Sequence, residues 1–308
     1  MDIRQLRSFI EVAETGSLSR ASDRLRLVQP ALSRHIRMLE EQVGAPLFTR
    51  HGRGMRLTDA GQALLDRVAG PLRQIERSLE EVRGLLGKVA GHVALGLMPT
   101  TSHVLSGRIV RRVAAELPEV SLRVVEGYAG HLVEWLRRGE LDATLLYGPA
   151  GGLNLPVETL LHDDLALIGP AGALDGGASV AMRDLASLEM VLPSRPHGLR
   201  HLIESAAAEA AVSLRIRFEA DSFRVLKDIV ATGLGYTVLP PSSIAPDEMG
   251  HRFSMAPLRD PTPCREILLA RPPDRGDSRA AQAVMALLRD EARNLVLRGG
   301  WPGAALPG

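Results

Sequence analysis

Gln29, Pro30, Ser33, Arg34 and Arg37 crowd into one nine-residue stretch, QPALSRHIR at 29–37. These are residue types that can read or grip a nucleic acid. A glutamine amide bonds an adenine edge, an arginine fork bonds a guanine, and a proline ring can touch a thymine methyl. Ser33 offers a hydroxyl to a base or a phosphate, and Arg37 a charge to a phosphate. That stretch and the residues after it, to 43, carry Leu32, Ile36, Leu39 and Val43, spaced by four, three and four, which is the period of a buried helical stripe. Pro30 suits the start of that helix, where its missing N–H has no partner to lose. The pattern predicts a helix held down on one face and chemically equipped on the other. Solvated surface charge is the alternative reading of its polar face.

The surrounding elements must hold that helix out. Leu6, Phe9, Ile10 and Ala13 fall at helical spacing, Gly16 breaks the run, and Ser17 is placed to cap a second helix carrying Leu18, Ala21 and Leu25. Two short helices and a tight joint before Pro30 predict a helix-turn-helix, whose second member enters the DNA major groove. PLFTRHGRGMRLTDAG follows at 46–61, with Arg50, Arg53 and Arg56 interleaved with glycines. That is the composition of a basic wing able to approach a phosphate backbone, with Arg37, Arg50 and Arg53 as phosphate clamps and Ser17, besides its capping place, as a further DNA contact. Residues 1–57 hold ten arginines against six acids, a local +4, while the whole chain is only +1. The molecule is therefore polarised, basic in front and slightly acidic behind.

A long helix is predicted from Thr58, which can cap it, to about Leu86. Leu64, Val68, Leu72, Ile75, Leu79, Val82 and Leu86 form a stripe of coiled-coil period, interrupted by Pro71. The opposite face is charged, which favours pairing with a second copy over packing on the chain's own domain. Residues 58–91 are thus read as a dimerising linker helix and hinge, with glycines at 84, 87 and 91.

From 92 to 297 strand and helix patterns alternate in two consecutive sets, predicting two α/β lobes with parallel-dominated sheets. Lobe I is assigned to about 92–162 and 266–297, lobe II to about 163–265. The space between such lobes is a natural ligand site. Thr100, Thr101 and Ser102 stand where a helix begins, so they either cap it or help its free N–H groups bind an anion. Ser194, Arg195 and His197 are placed across the cleft, Tyr147 ends a strand facing it, and Ser222 and Phe223 open a later helix there. Residues 298–308, rich in glycine and proline, are read as a loose tail.

Several classes of function are excluded or disfavoured. A single cysteine, Cys264, rules out an internal disulfide framework and is read as a small, partly buried residue. His197 and His201 lack a third ligand in register, so no metal site is assigned. Asp163 and Asp164 are read as a lobe hinge or strand start. No phosphate-binding loop, nucleophile elbow or dinucleotide fingerprint occurs, so neither enzyme activity nor a cofactor is expected. No signal peptide or apolar stretch of about 18 residues is present, which makes the cytoplasm the expected location.

The motifs LRSFIEVAETGSLSRASDRL, QPALSRHIRMLEEQVGAPLFTR and LTDAG, all within the first 66 residues, together resemble the LysR-type transcriptional regulators. The resemblance extends over essentially the whole chain, and the amino-terminal stretch is similar to the nitrogen-assimilation-control branch. One departure is Val28, where the family often carries a serine or another small residue. The family implies a winged helix-turn-helix, a linker helix and a two-lobed effector domain like the periplasmic binding proteins. It further implies double-stranded DNA as partner, at inverted repeats of T-N11-A type, homodimers and homotetramers, and a small-molecule effector between the lobes. The resemblance also allows RNA polymerase as a further partner, and no membrane association is expected. The effector expected here is a small anionic metabolite. Among the alternatives are a cytoplasmic solute-binding module and a transcription factor that needs no ligand.

Overall fold

The computed structural model describes residues 2–52, 54–84, 89–149, 151–152, 154–175, 178–195, 197–273 and 278–308. At Arg73 and over 76–84 it describes the backbone alone.

The head begins with α1 (Ile3–Thr15), capped by Asp2, whose carboxylate accepts from Arg4 N while Gln5 returns a bond to Asp2 N. Gly16 ends it in the left-handed region, φ 61°. Ser17 caps α2 (Leu18–Leu25), and α3 (Gln29–Val43) starts at Val28 without a side-chain cap, with Pro30 in its first turn. Phe9, Val12, Ala21, Leu32, Ile36, Leu39, Leu47 and Phe48 make one core. The stripe of α3 is one turn shorter than its period suggests, because Val43 is 41% exposed. Beyond Leu39 the helix has outrun the helices it packs on.

The strands β1 (Phe48–His51) and β2 (Gly54–Leu57) pair antiparallel as the wing. Gly54 has φ 135°, and a Cβ there would lie 2.3 Å from the Gly16 carbonyl oxygen. Only glycine lets the wing close on the α1–α2 turn, where Met55 N donates to Gly16 O at 2.9 Å. Next, α4 (Asp59–Gly84) is capped by Thr58, whose hydroxyl accepts from Gly61 N at 3.0 Å and donates to Pro46 O at 2.7 Å. The helix continues through Pro71. Leu64 and Val68 pack on the head core and Leu72 is buried, so the first half of the expected seam faces its own domain. Ile75 is 45% exposed. Of the remaining seam positions, the side chains of Leu79 and Val82, and Leu86 as a whole, lie outside what is described.

The effector domain runs β3 (Gly91–Leu97), α5 (Pro99–Glu116), β4 (Val120–Glu126), α6 (Ala129–Arg137), β5 (Ala143–Tyr147) and β6 (Val157–Asp164). The chain then crosses to the second lobe, with β7 (Ala166–Pro170), β8 (Val180–Ala181), β9 (Glu189–Leu192), α7 (Gly198–Glu209), β10 (Arg215–Glu219), α8 (Phe223–Ala231), β11 (Thr237–Leu239) and β12 (Phe253–Arg259). It returns through β13 (Cys264–Ala270), α9 (Arg279–Leu297) and β14 (Ala304–Ala305). Lobe I is a six-stranded sheet ordered β14-β6-β13-β5-β3-β4, and lobe II contains β11-β7-β12-β8 and the pair β10-β9.

The sheets are mixed, not parallel-dominated as expected. In lobe I, β3 is parallel to β4 and β5, but β13 is antiparallel to β5 and β6, and β14 to β6. The reason is the double crossing between lobes. The chain leaves lobe I along β6 and comes back along its neighbour β13, which must run the other way. Neither β6 nor β12 was legible as a strand in the sequence.

The carboxy-terminal tail is also corrected: it is docked. Trp301 is 2% exposed within the lobe I core, β14 extends the sheet beside β6, and Asp164 N donates to Gly303 O at 2.9 Å. Burial of one large indole stabilises by roughly 1.5–3 kcal/mol, enough to hold a short segment that its composition alone would leave free. No helix among the described residues is long and apolar enough to cross a membrane.

Candidate nucleic-acid interface and ligand cleft

On α3, Gln29, Pro30, Arg34 and Arg37 are exposed and Ser33 is half-buried. Arg50 is exposed on β1; Arg53 lies outside the described residues. Among the described residues Arg34, Arg37 and Arg50 take part in no ion pair, so their charge is directed at solvent. Ser17 is half-buried and its hydroxyl accepts from Arg20 N at 3.4 Å, so its side chain acts as a helix cap.

Two residues not singled out in the sequence fix this face. His35 Nδ1 is 2.8 Å from Ser8 Oγ, tying the inner side of α3 to α1. Glu40 Oε1 accepts from Leu47 N at 2.8 Å and Phe48 N at 3.4 Å, which clamps the wing strand to α3.

The lobes enclose a cleft of about 280 Å³ with a narrow inner extension of about 30 Å³. Met98, Tyr128, Tyr147, His197, Leu199 and Arg265 line both parts. Arg265 enters from β13 and is 6% exposed. Its Nε and Nη2 donate to Asp163 Oδ2 at 3.0 and 2.6 Å, and Nη2 also donates to Thr100 Oγ1 at 2.8 Å. Thr100 Oγ1 and the Tyr147 hydroxyl share a bond of 2.6 Å, and the guanidinium lies 3.9 Å from the centre of the Tyr147 ring. Burial pushes the Asp163 carboxyl above the ordinary carboxylate range, opposed by Arg265 beside it.

At the rim, Ser194 donates to Asp221 Oδ1 through both its hydroxyl (2.6 Å) and its backbone N–H (2.9 Å), bonds that hold the Asp221 pKa down. The Tyr128 hydroxyl donates to Asp221 O at 3.1 Å, and its ring meets His197 edge-on at 5.9 Å. This last group of contacts joins lobe I to lobe II across the opening. His197 caps α7, its Nδ1 accepting from Leu199 N at 3.1 Å, and burial lowers its pKa.

Thr100, Tyr147, His197 and Phe223 therefore line the cleft as their positions suggest. The helix that was to begin at Ser102 begins at Pro99, which moves the hydroxyl residues into its first turn. Thr101 is fully buried and donates to Met98 O at 2.8 Å, and Ser102 is buried; neither lines the cavity. Arg195 is turned away, paired with Glu204 at 2.8 Å on the surface of lobe II. Ser194 acts through Asp221, and Ser222 is the N-cap of α8 without a side-chain bond. The cleft cation is Arg265, which the sequence did not single out, and Asp163 is its partner. Cys264 is exposed at the start of β13, not partly buried; desolvation of the sulfur and the nearby Asp164 carboxylate push its thiol up to about 11.

A winged helix-turn-helix with an outward arginine face, a long helix and a two-lobed α/β domain define a DNA-binding transcription regulator. The matches to known families agree. Residues 3–62 match the family described as bacterial regulatory helix-turn-helix protein, lysR family, and residues 87–293 match the LysR substrate binding domain. The chain belongs to the LysR family and is not an enzyme. It is 32% identical over 304 residues to the HTH-type transcriptional regulator BbuR of Bordetella bronchiseptica, covering 98% of this chain and 94% of that one. It is 31% identical over 244 residues to the nitrogen assimilation regulatory protein nac of Klebsiella aerogenes, covering 79% of each. Among solved structures, full-length OxyR from Pseudomonas aeruginosa superposes with a TM-score of 0.70 at 24% identity, covering 95% of both chains. Full-length CbnR bound to its target DNA gives 0.70 at 20% identity, covering 96% of this chain and 99% of that one.

Proposed function

We propose that this regulator binds an inverted-repeat promoter site as a homodimer or homotetramer and changes its grip when a small anionic metabolite occupies the cleft. The observation that carries the reading is the outer face of α3. Gln29, Arg34 and Arg37 are exposed there, and the two arginines are free of ion pairs among the described residues. Two such heads related by a two-fold axis would favour two half-sites of matching symmetry. The second copy would join through α4 beyond Leu72, where Ile75 is exposed, and RNA polymerase would meet the assembly on the promoter. CbnR, similar in fold, was solved on its target DNA, which supports the same use of the head here.

The cleft favours an anion because four helices begin at it. Pro99, Ala129, Gly198 and Phe223 are the first residues of α5, α6, α7 and α8, and all line one part or the other. First-turn N–H groups and the positive dipole end attract negative charge. The route to the head is α6. Its first turn lines the cleft, and just past its other end Arg138 Nη1 lies 2.9 Å from Asp66 Oδ1 on α4. A ligand that draws the lobes together would move α6 and with it the linker helix.

The test is to recover genomic fragments bound by the purified protein. The expected result is a shared inverted repeat, with affinity falling linearly on a log–log salt plot by about 0.9 per phosphate contact. Fragments with no common site, or binding indifferent to salt, would contradict the proposal.

A further inference from the structure

Two glycines in the cleft are not explained by the protein's own packing. Gly130 lies in the first turn of α6 in lobe I, and Gly198 opens α7 in lobe II; both line the larger cavity. Neither has a positive φ, and a Cβ built on either would meet nothing within 4 Å. Glycine in a helix is less stable than alanine because it loses more freedom on folding. Sterics and backbone conformation thus give no reason for glycine at either place. What the missing Cβ does provide is close access from the cleft to the first-turn N–H groups of two facing helices.

The charge of the lining is limited as well. Among the described residues lining either part of the cleft, Arg265 is the one lysine or arginine. Two of its five N–H donors go to Asp163 and one to Thr100, and Tyr147 engages the guanidinium as well, so no more than the two on Nη1 remain for a ligand. Asp221 sets a carboxylate at the inner rim, and Arg195 is committed to Glu204 outside. His197, with its pKa lowered by burial, adds no charge at neutral pH. A ligand with two negative charges would find a side-chain cation for one only. The rest of the wall is apolar or aromatic: Met98, Tyr128, Leu199 and Leu202.

Building on the reading of the cleft as the sensing site, we propose that its ligand is a monocarboxylate with a flat apolar body. Its carboxylate lies against Arg265 and the first turn of α6, and its body passes between Gly130 and Gly198.

Isothermal titration of the full chain decides this with benzoate and phenylacetate set against succinate, sulfate and benzamide. At least one aromatic carboxylate should bind, with succinate, sulfate and benzamide tenfold weaker or worse. Gly130→Leu should weaken that binding tenfold or more while the melting temperature holds or rises; a purely structural glycine would show a fall. Tighter binding of succinate or sulfate, lost in Gly130→Leu, overturns the ligand class and leaves the cleft as the sensing site. Aromatic binding untouched by both Gly130→Leu and Gly198→Leu overturns the site itself. Absence of binding by either aromatic acid overturns the class.

Discussion

The outer face of α3 and the floor of the cleft hold their polar side chains in opposite ways. On α3 the exposed side chains of Gln29, Arg34 and Arg37 leave the packing to Leu32, Ile36 and Leu39. In the cleft Arg265, Thr100 and Tyr147 hold one another, and Arg265 also neutralises the buried Asp163. A surface that must slide along a polyanion keeps its charges free. A pocket that must tell one small molecule from another fixes its polar groups beforehand, because an unpaired buried charge costs far more than an exposed one.

The sharpest way to break this contrast is to compare Asp163→Ala with Arg34→Ala in urea unfolding. Removing Asp163 leaves Arg265 buried without its counter-charge and should cost about 3–5 kcal/mol. Removing Arg34 from the surface should change stability by no more than about 0.5 kcal/mol. Equal costs would erase the distinction.

Acid should act on the cleft next. The native state holds the pKa of His197 below its ordinary value of about 6.5, so the unfolded chain takes up the proton first. The stability from neutral His197 is complete above that value and is lost as pH falls from there toward the lowered native pKa. Melting temperatures measured from pH 8 to 5 should fall along this limb, and His197→Gln should flatten it; an unchanged slope would remove His197 as the source.

The smallest effect belongs to the joint between the two regions. The Asp66–Arg138 pair is partly exposed, so a double-mutant cycle should return a coupling of under about 1 kcal/mol in stability. Its expected signature is a shifted footprint on promoter DNA. Arg138→Ala protein with an unaltered footprint would show that α6 does not steer the head.

The head was far more legible in the sequence than the cleft, and the reason is distance along the chain. Helix caps at Ser17 and Thr58, the stripe of α3 and the wing all arise from residues within a few turns of each other. Arg265 meets Asp163 from 102 residues away and Thr100 from 165. No local period marks such a meeting, and the apolar run that betrays β13 starts after Arg265. Arg195 misled for the complementary reason: it neighbours His197 in sequence, but Glu204 on α7 draws it outward. In the tail the one informative residue was Trp301, masked by the glycines and prolines around it.

The reading on which the rest depends is that α3 contacts DNA with its outer face. It is met most directly by titrating a recovered promoter fragment and a scrambled duplex with wild-type and Arg34→Ala protein at one fixed salt concentration. A loss of about 1–3 kcal/mol is expected on the promoter fragment and a much smaller loss on the scrambled one. Unchanged affinity together with unchanged preference between the two would contradict it.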